Sequence, residues 1–245
     1  MCKRAALYAK GRVVIADSHL QAYQQLTQSE QNGEIVSGVF NVETQEFQAD
    51  CEKDHFYNKQ IFLIRHGEAQ EPLEPDPPIS DAGTVHIQQL AEFLSAFDLK
   101  NYIGLTSPLL RCLQSAKVFY ETLHIDFQIC PEVIETACFL SGDQHYRLQN
   151  YRDMFPQFQW PSEDSWILTS ENEVQFISRI KLALQNFPTK TIVMTHCGFI
   201  YNVTRLALCE QKIQPFTRRG VPPASATFLD RQEIKFMGRT CEDDI

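Results

Sequence analysis

The sequence predicts a three-layer α/β/α fold on a mostly parallel mixed sheet, preceded by a small α+β extension. Three observations carry this expectation. From residue 59 onward, short apolar runs alternate with longer segments whose apolar residues recur every three to four positions, the rhythm of strand–helix units. Two of the runs, "IFLIR" and "TIVMT", are almost continuously apolar, as strands covered on both faces are. Residues 1–58 lack that rhythm and read as a separate β-α-β-β unit, with a core too thin to stand alone.

In that first unit "GRVVIA" is a short β-branched run. "DSHLQAYQQLTQ" follows, with Asp17 and Ser18 as capping residues and Leu20, Tyr23 and Leu26 at helical spacing. After the turn signal Asn32-Gly33, "EIVSGVFNV" reads as a strand and "QEFQA" as its partner, with "DCEKDHFYNK" as the connection onward. No internal repeat is visible.

In residues 59–245, "IFLIR" is the first strand. "EPLEPDPPIS" holds four prolines in ten residues and must be loop. A helix starts near Ser80, with Ile87, Leu90, Ala91 and Leu94 on one face. "YIGLTS" is the next strand, and Ser107-Pro108 reads as a helix start with serine capping and proline in the first turn. That helix carries Leu109, Leu113, Ala116 and Tyr120 on its buried stripe, and "DFQIC" is a third strand. The aromatic, irregular stretch from 138 to 170 reads as an insertion over the sheet edge. A helix at 171–187 aligns Phe176, Ile180, Ala183, Leu184 and Phe187. "TIVMT" then leads into a helix through Ile200, Val203 and Leu208, and "SATFLD" and "EIKFM" close the sheet.

Charge and composition narrow the function. A net charge of −9 argues against non-specific nucleic-acid binding or adhesion to anionic membranes, where nothing would offset phosphate repulsion. No apolar run approaches the ~18 residues needed to span a bilayer. "MCKRAALYAK" is too short in apolar residues for a secretory core, and Cys241 lies too far from the end for prenylation. Eight scattered cysteines with no CxxC pair predict reduced thiols and a cytoplasmic setting.

The chemistry-bearing residues sit at strand ends. "IFLIR-HG" and "TIVMT-HCG" each place a histidine and a glycine where a buried strand meets its loop, the position where open α/β sheets bind ligands. "TSPLLR" puts Arg111 in the first turn of a helix, whose free N–H groups favour anions. Arg65, Arg111, His66 and His196 around one crevice would form a cationic pocket suited to a phosphoryl group. A neutral imidazole can attack phosphorus there while the cations stabilise the equatorial oxygens. A carboxylic acid must then protonate the leaving oxygen. Taken singly, each residue has an ordinary reading: His66 as a polar loop residue, His196 as a core histidine. A metal site on the two histidines lacks a third ligand at a recognisable spacing.

Together, "RHGEA", "PPISDAG", "TSPLLRCLQSA", "VIET" and "IVMTHCGFI" resemble the histidine phosphatase superfamily, in its phosphoglycerate-mutase-like branch. "ASATFLD" is similar to the strand that closes that family's sheet. The resemblance covers about three quarters of the chain. It implies His66 as the phosphorylated nucleophile, Arg65, Arg111 and His196 as the phosphate pocket, and Glu135 as the proton donor with Glu132 as its competitor. Gly67 would let the backbone approach the phosphate. No cofactor and no metal are implied, and the substrate would be a phosphorylated small molecule or a phosphoprotein. Mutase members carry Ser or Thr two residues after the glycine and then Asn. Here Ala69 and "QEPLEP" follow, which favours a phosphatase over a phosphomutase. A catalytically weak phosphate- or partner-binding module is the alternative of a different class. Cys112 and Cys197 flank site residues, and Tyr146, Arg147, Tyr151, Arg152, Trp160 and Trp166 are candidates for the substrate mouth. His19, His55, His86, His124 and His145 have no partners in the pattern.

Overall fold

The computed structural model describes residues 3–9, 12–16, 35–41, 46–49, 58–70, 76–135, 150–161, 171, 173–210, 221–231 and 233–241. Two sheets organise these residues. The first holds strands β1 (Lys3–Ala9), β2 (Arg12–Ala16), β3 (Ile35–Asn41) and β4 (Glu46–Ala49) in the order β2-β1-β3-β4, every pair antiparallel. The extension thus has one strand more than the expected β-α-β-β. "KRAALYA" concealed β1, because its apolar stretch is short and lies behind two cations. The helix expected over 17–28 falls outside the described residues.

The second sheet has six strands: β5 (Gln60–Arg65), β6 (Ile103–Thr106), β7 (Phe127–Ile129), β8 (Lys190–Thr195), β9 (Ala226–Asp230) and β10 (Glu233–Arg239). Their order is β10-β9-β5-β8-β6-β7. β5, β8, β6 and β7 run parallel, while β9 and β10 add an antiparallel edge, so the sheet is mixed as expected. Among the described residues four 14-residue helices flank it: α1 (Asp81–Leu94), α2 (Leu110–Leu123), α3 (Glu173–Asn186) and α4 (Cys197–Glu210).

The alternation of side chains along β5 defines the layers. Phe62 and Ile64 point into one core with Ile87, Leu90 and Leu94 of α1 and Leu113, Ala116 and Phe119 of α2. Ile61 and Leu63 point into the other with Phe176, Ile180 and Leu184 of α3 and Phe199, Ile200 and Val203 of α4. At about 25 cal/mol per Å2 of apolar surface, each such side chain contributes on the order of 2 kcal/mol of transfer free energy. That is why continuous apolar runs were legible as central strands.

Local chemistry ends the helices. Ser80 Oγ accepts from Gly83 N at 2.9 Å and caps α1. The Lys59 ammonium donates to the carbonyls of Leu184, Gln185 and Phe187 at 2.6, 3.0 and 2.6 Å, closing the negative end of α3. α2 departs from expectation: it begins at Leu110, its cap Leu109 offers no side-chain bond, and Ser107 lies before it. On its buried stripe Phe119 takes the place expected of Tyr120, which is only partly buried.

Part of the 138–170 insertion is described. Residues 150–154 form a helical turn, and Gln159 makes a parallel bridge to Gln128 on edge strand β7. Tyr151, Phe155 and Phe158 are buried in the α1/α2-side core, so this piece does cover the sheet edge. Among the described residues no helix is long and apolar enough to cross a membrane.

Candidate active site

Register brings the two histidines together. β5 and β8 are parallel neighbours with Arg65 opposite Thr195, so the next residues, His66 and His196, leave the sheet side by side. Their rings lie 5.2 Å apart, centroid to centroid. β6 pairs with β8 through Thr106 and Met194, which brings Ser107 to the same edge. There its hydroxyl lies 2.8 Å from His196 Nε2. Ser107 is therefore a neighbour of the site histidine rather than the cap of α2.

His66 is buried, and its two nitrogens have distinct partners. Nδ1 is 2.7 Å from the Gly67 carbonyl, which can only accept, so Nδ1 carries the proton. Nε2 accepts from Arg111 Nε at 3.2 Å and so presents its lone pair. Burial, followed by the nearby Arg111 guanidinium, lowers the His66 pKa to about 3. The ring is thus neutral, the form in which Nε2 is a nucleophile. His196 is fully buried, and burial together with Arg111 and His66 pushes its pKa well below the ordinary value. Cys112 Sγ lies 3.4 Å from His196 Nε2 inside the core, and burial pushes that thiol pKa far up, which leaves it inert.

Both arginines lie close enough to act on the two histidine rings. Arg65 Nη1 donates to Val221 O at 2.6 Å, while its buried Nε has no hydrogen-bond partner among the described residues. Burial lowers the Arg65 pKa, with Cys197 and Glu135 nearby opposing that shift. Arg111 is held by Asp76, whose carboxylate accepts from Arg111 Nη1 at 3.2 Å. Asp76 also accepts from the backbone N–H of Leu110 at 3.0 and 3.1 Å and from the Tyr151 hydroxyl at 3.0 Å. The acid that caps α2 is thus Asp76, from the proline-rich loop, and the docked insertion supports it through Tyr151. No sequence signal separated Asp76 from the other acids of "EPLEPDPPIS".

Of the two candidate acids, Glu135 reaches the site. Its Oε2 accepts from Gly198 N at 3.2 Å, at the positive end of α4 and two residues beyond His196. Glu132 is exposed, and its carboxylate accepts from Cys130 Sγ at 3.3 Å instead.

Gly67 has a packing task in the fold. Its N–H donates to Ser115 Oγ at 3.1 Å, and a Cβ there would lie 2.7 Å from the Gly83 carbonyl. A side chain here would therefore push the loop off α1, which is a packing reason for glycine at this position. Tyr151 enters the site network through Asp76. Arg152 and Trp160 serve the insertion itself: Arg152 donates to Pro161 O at 2.9 Å and Trp160 to Phe155 O at 3.1 Å. His86 and His124 are exposed, and His124 ends α2 in the left-handed conformation. Tyr146, Arg147 and Trp166 lie outside the described residues. Among the described residues, no three His, Cys, Asp or Glu side chains cluster as a metal site.

The family model of the histidine phosphatase superfamily (branch 1) matches residues 61–244. Similar solved structures include TTHB049 from Thermus thermophilus, at 21% identity over 73% of this chain and 97% of that one, with a TM-score of 0.46. Phosphoglycerate mutase from the same organism gives 21% identity, 73% and 98% coverage and a TM-score of 0.46. Mycobacterial hydrolase 1 gives 14%, 74% and 99%, with a TM-score of 0.50. At these identities the likeness concerns the fold alone. None of the curated proteins matches the chain.

Proposed function

The chain belongs to branch 1 of the histidine phosphatase superfamily, and from that premise we propose that it is a metal-independent phosphatase. It hydrolyses a phosphomonoester or phosphohistidine through an intermediate phosphorylated on His66. The observation that carries this reading is the neutral His66 ring, with Nδ1–H bonded to Gly67 O and its Nε2 lone pair turned toward Arg111.

A phosphoryl group entering between Arg65, Arg111 and His196 takes over the donor now on Nε2. The lone pair attacks phosphorus as the bond to the leaving oxygen breaks, and Glu135 gives that oxygen its proton. The guanidiniums and the His196 ring stabilise charge on the equatorial oxygens. Water then attacks the phosphorus of phospho-His66, the P–N bond breaks, and the Glu135 carboxylate takes the water's proton. Inorganic phosphate leaves and both groups return to their starting state.

Phosphatase is favoured over mutase by the loop after His66. Ala69 forms a bridge with Ile79, so a residue without a hydroxyl occupies the position where mutases carry Ser or Thr. Substrates of this reading are phosphorylated small molecules or phosphoproteins, and eight scattered cysteines with no CxxC pair favour a cytoplasmic setting.

The test is hydrolysis of an aryl phosphate with chelator present, by the wild type and by His66→Ala. Turnover by the wild type alone is expected. An inert wild type contradicts phosphatase activity, turnover by His66→Ala contradicts the nucleophile, and loss on chelation points to a metal.

A further inference from the structure

Residues 131–135 leave the end of edge strand β7 as a 3-10 turn and then an extended stretch, and among the described residues no strand lies beside them to take up the carbonyls of 132–135. Two side chains do so instead. Thr195, the residue before His196, donates its hydroxyl to Val133 O at 2.5 Å. Arg179, on α3, takes the others: Nη1 donates to Glu132 O at 2.5 Å and to Ile134 O at 3.0 Å, and Nη2 donates to Glu135 O at 3.4 Å. Nε donates to Glu171 Oε2 at 3.0 Å, and Nη2 also meets Glu171 Oε1. All five N–H directions of the guanidinium are therefore used. The ion pair is well buried, with side-chain exposures of 9% and 8%, and the guanidinium plane covers the Phe176 ring at 4.8 Å.

A buried ion pair adds little stability in general, because desolvation offsets most of the attraction. This one fixes a geometry. Four successive carbonyls, 132 to 135, are held by one residue of the strand that carries His196 and one guanidinium on the helix behind it. The side chain delivered at the end of that segment is Glu135, with its carboxylate on Gly198 N. We propose that Arg179, oriented by Glu171, is a positioning residue that holds Glu135 where it protonates the leaving group. The proposal rests on the general-acid role given to Glu135 above. Alignment of this kind matters steeply, since displacing a catalytic group by about 1 Å can cost on the order of 100-fold in rate. Lysine keeps the charge but cannot make the fork of bonds.

Leaving-group dependence tests it, because a proton donor matters for an alkoxide and hardly at all for dinitrophenolate. The kcat/KM of the full chain is measured on an alkyl phosphate and on 2,4-dinitrophenyl phosphate, for wild type, Glu135→Gln, Arg179→Lys and Glu171→Gln. Arg179→Lys is expected to lose roughly 30- to 100-fold on the alkyl ester and less than about 3-fold on the activated one, the same pattern as Glu135→Gln. Glu171→Gln keeps the arginine and should lose about 10-fold with the same selectivity, so it decides the matter if Arg179→Lys does not fold. Equal losses on both esters, or none on the alkyl ester, would overturn the proposal. A wild type inert toward both esters would instead remove the phosphatase reading, and an unselective Glu135→Gln would remove the acid. Each of these two takes the positioning role with it, by a visibly different result.

Discussion

The reactivity proposed for His66 follows from where its two nitrogens point. Gly67 O fixes the proton on Nδ1, and Arg111 marks the lone pair on Nε2. Arg111 can do this because Asp76 holds its other end. Replacing Asp76 by Asn removes a charge-assisted bond of about 1.5–3 kcal/mol, so kcat/KM on an aryl phosphate should fall by roughly 10- to 100-fold; steady-state kinetics on the variant will show it. Both histidines also make stability depend on pH. In the unfolded chain they titrate near 6.5, whereas His66 falls to about 3 in the fold and His196 is shifted the same way. Below about pH 6.5 the unfolded state binds more protons, so stability is complete above that pH and declines as pH drops toward 3, by up to about 1.4 kcal/mol per pH unit per histidine. Denaturant midpoints between pH 7 and pH 4 should fall less steeply in His66→Asn than in wild type. His66, Arg111 and His196 were legible in the sequence because each sits at a strand end or helix start. Asp76 was not, since its partners lie 34, 35 and 75 residues away and only the fold assembles them.

Close packing between elements accounts for two glycines, with opposite consequences. A Cβ on Gly83 would run into the backbone of Glu68, and backbone cannot give way cheaply. Gly83→Ala should therefore destabilise the fold by about 1–3 kcal/mol despite its better helix propensity, as a lowered denaturant midpoint. The atoms nearest a Cβ on Gly198 would be those of the Glu135 carboxylate, the far end of a flexible side chain. Gly198→Ala should leave the midpoint unchanged or raised, since alanine suits a helix better by about 1 kcal/mol. Its turnover of an alkyl phosphate should drop about tenfold or more as the carboxylate is pushed aside. Helical and strand periodicities were readable in the elements described between residues 60 and 239, because those elements bury one stripe or two faces in the sheet's two cores. What escaped were features set by tertiary contact. Ser107 read as a cap by its place before Pro108, yet α2 is capped by Asp76 from a distant loop. The close approach of Gly67 to the Gly83 carbonyl had no signal in the sequence either.

Across the whole molecule, the parallel run β5-β8-β6-β7 collects His66, His196 and Ser107 at one edge, and α2 and the insertion add Arg111 and Tyr151. In a chain of net charge −9, Arg65 and Arg111 beside the two histidines would, under the proposed function, concentrate binding of a phosphoryl group at a single place. The antiparallel sheet of β1–β4 lies before residue 61, where the family match begins, so the pocket is built from residues of the matched region. The central claim is that the reaction passes through phospho-His66. Mixing the protein with an aryl phosphate, quenching within a turnover at alkaline pH, where phosphohistidine survives, and mapping by mass spectrometry tests it directly. One phosphoryl group is expected on His66, formed with the burst of aryl alcohol and lost as inorganic phosphate is released. Steady turnover with His66 unmodified, or with the phosphoryl group on another residue, would contradict it.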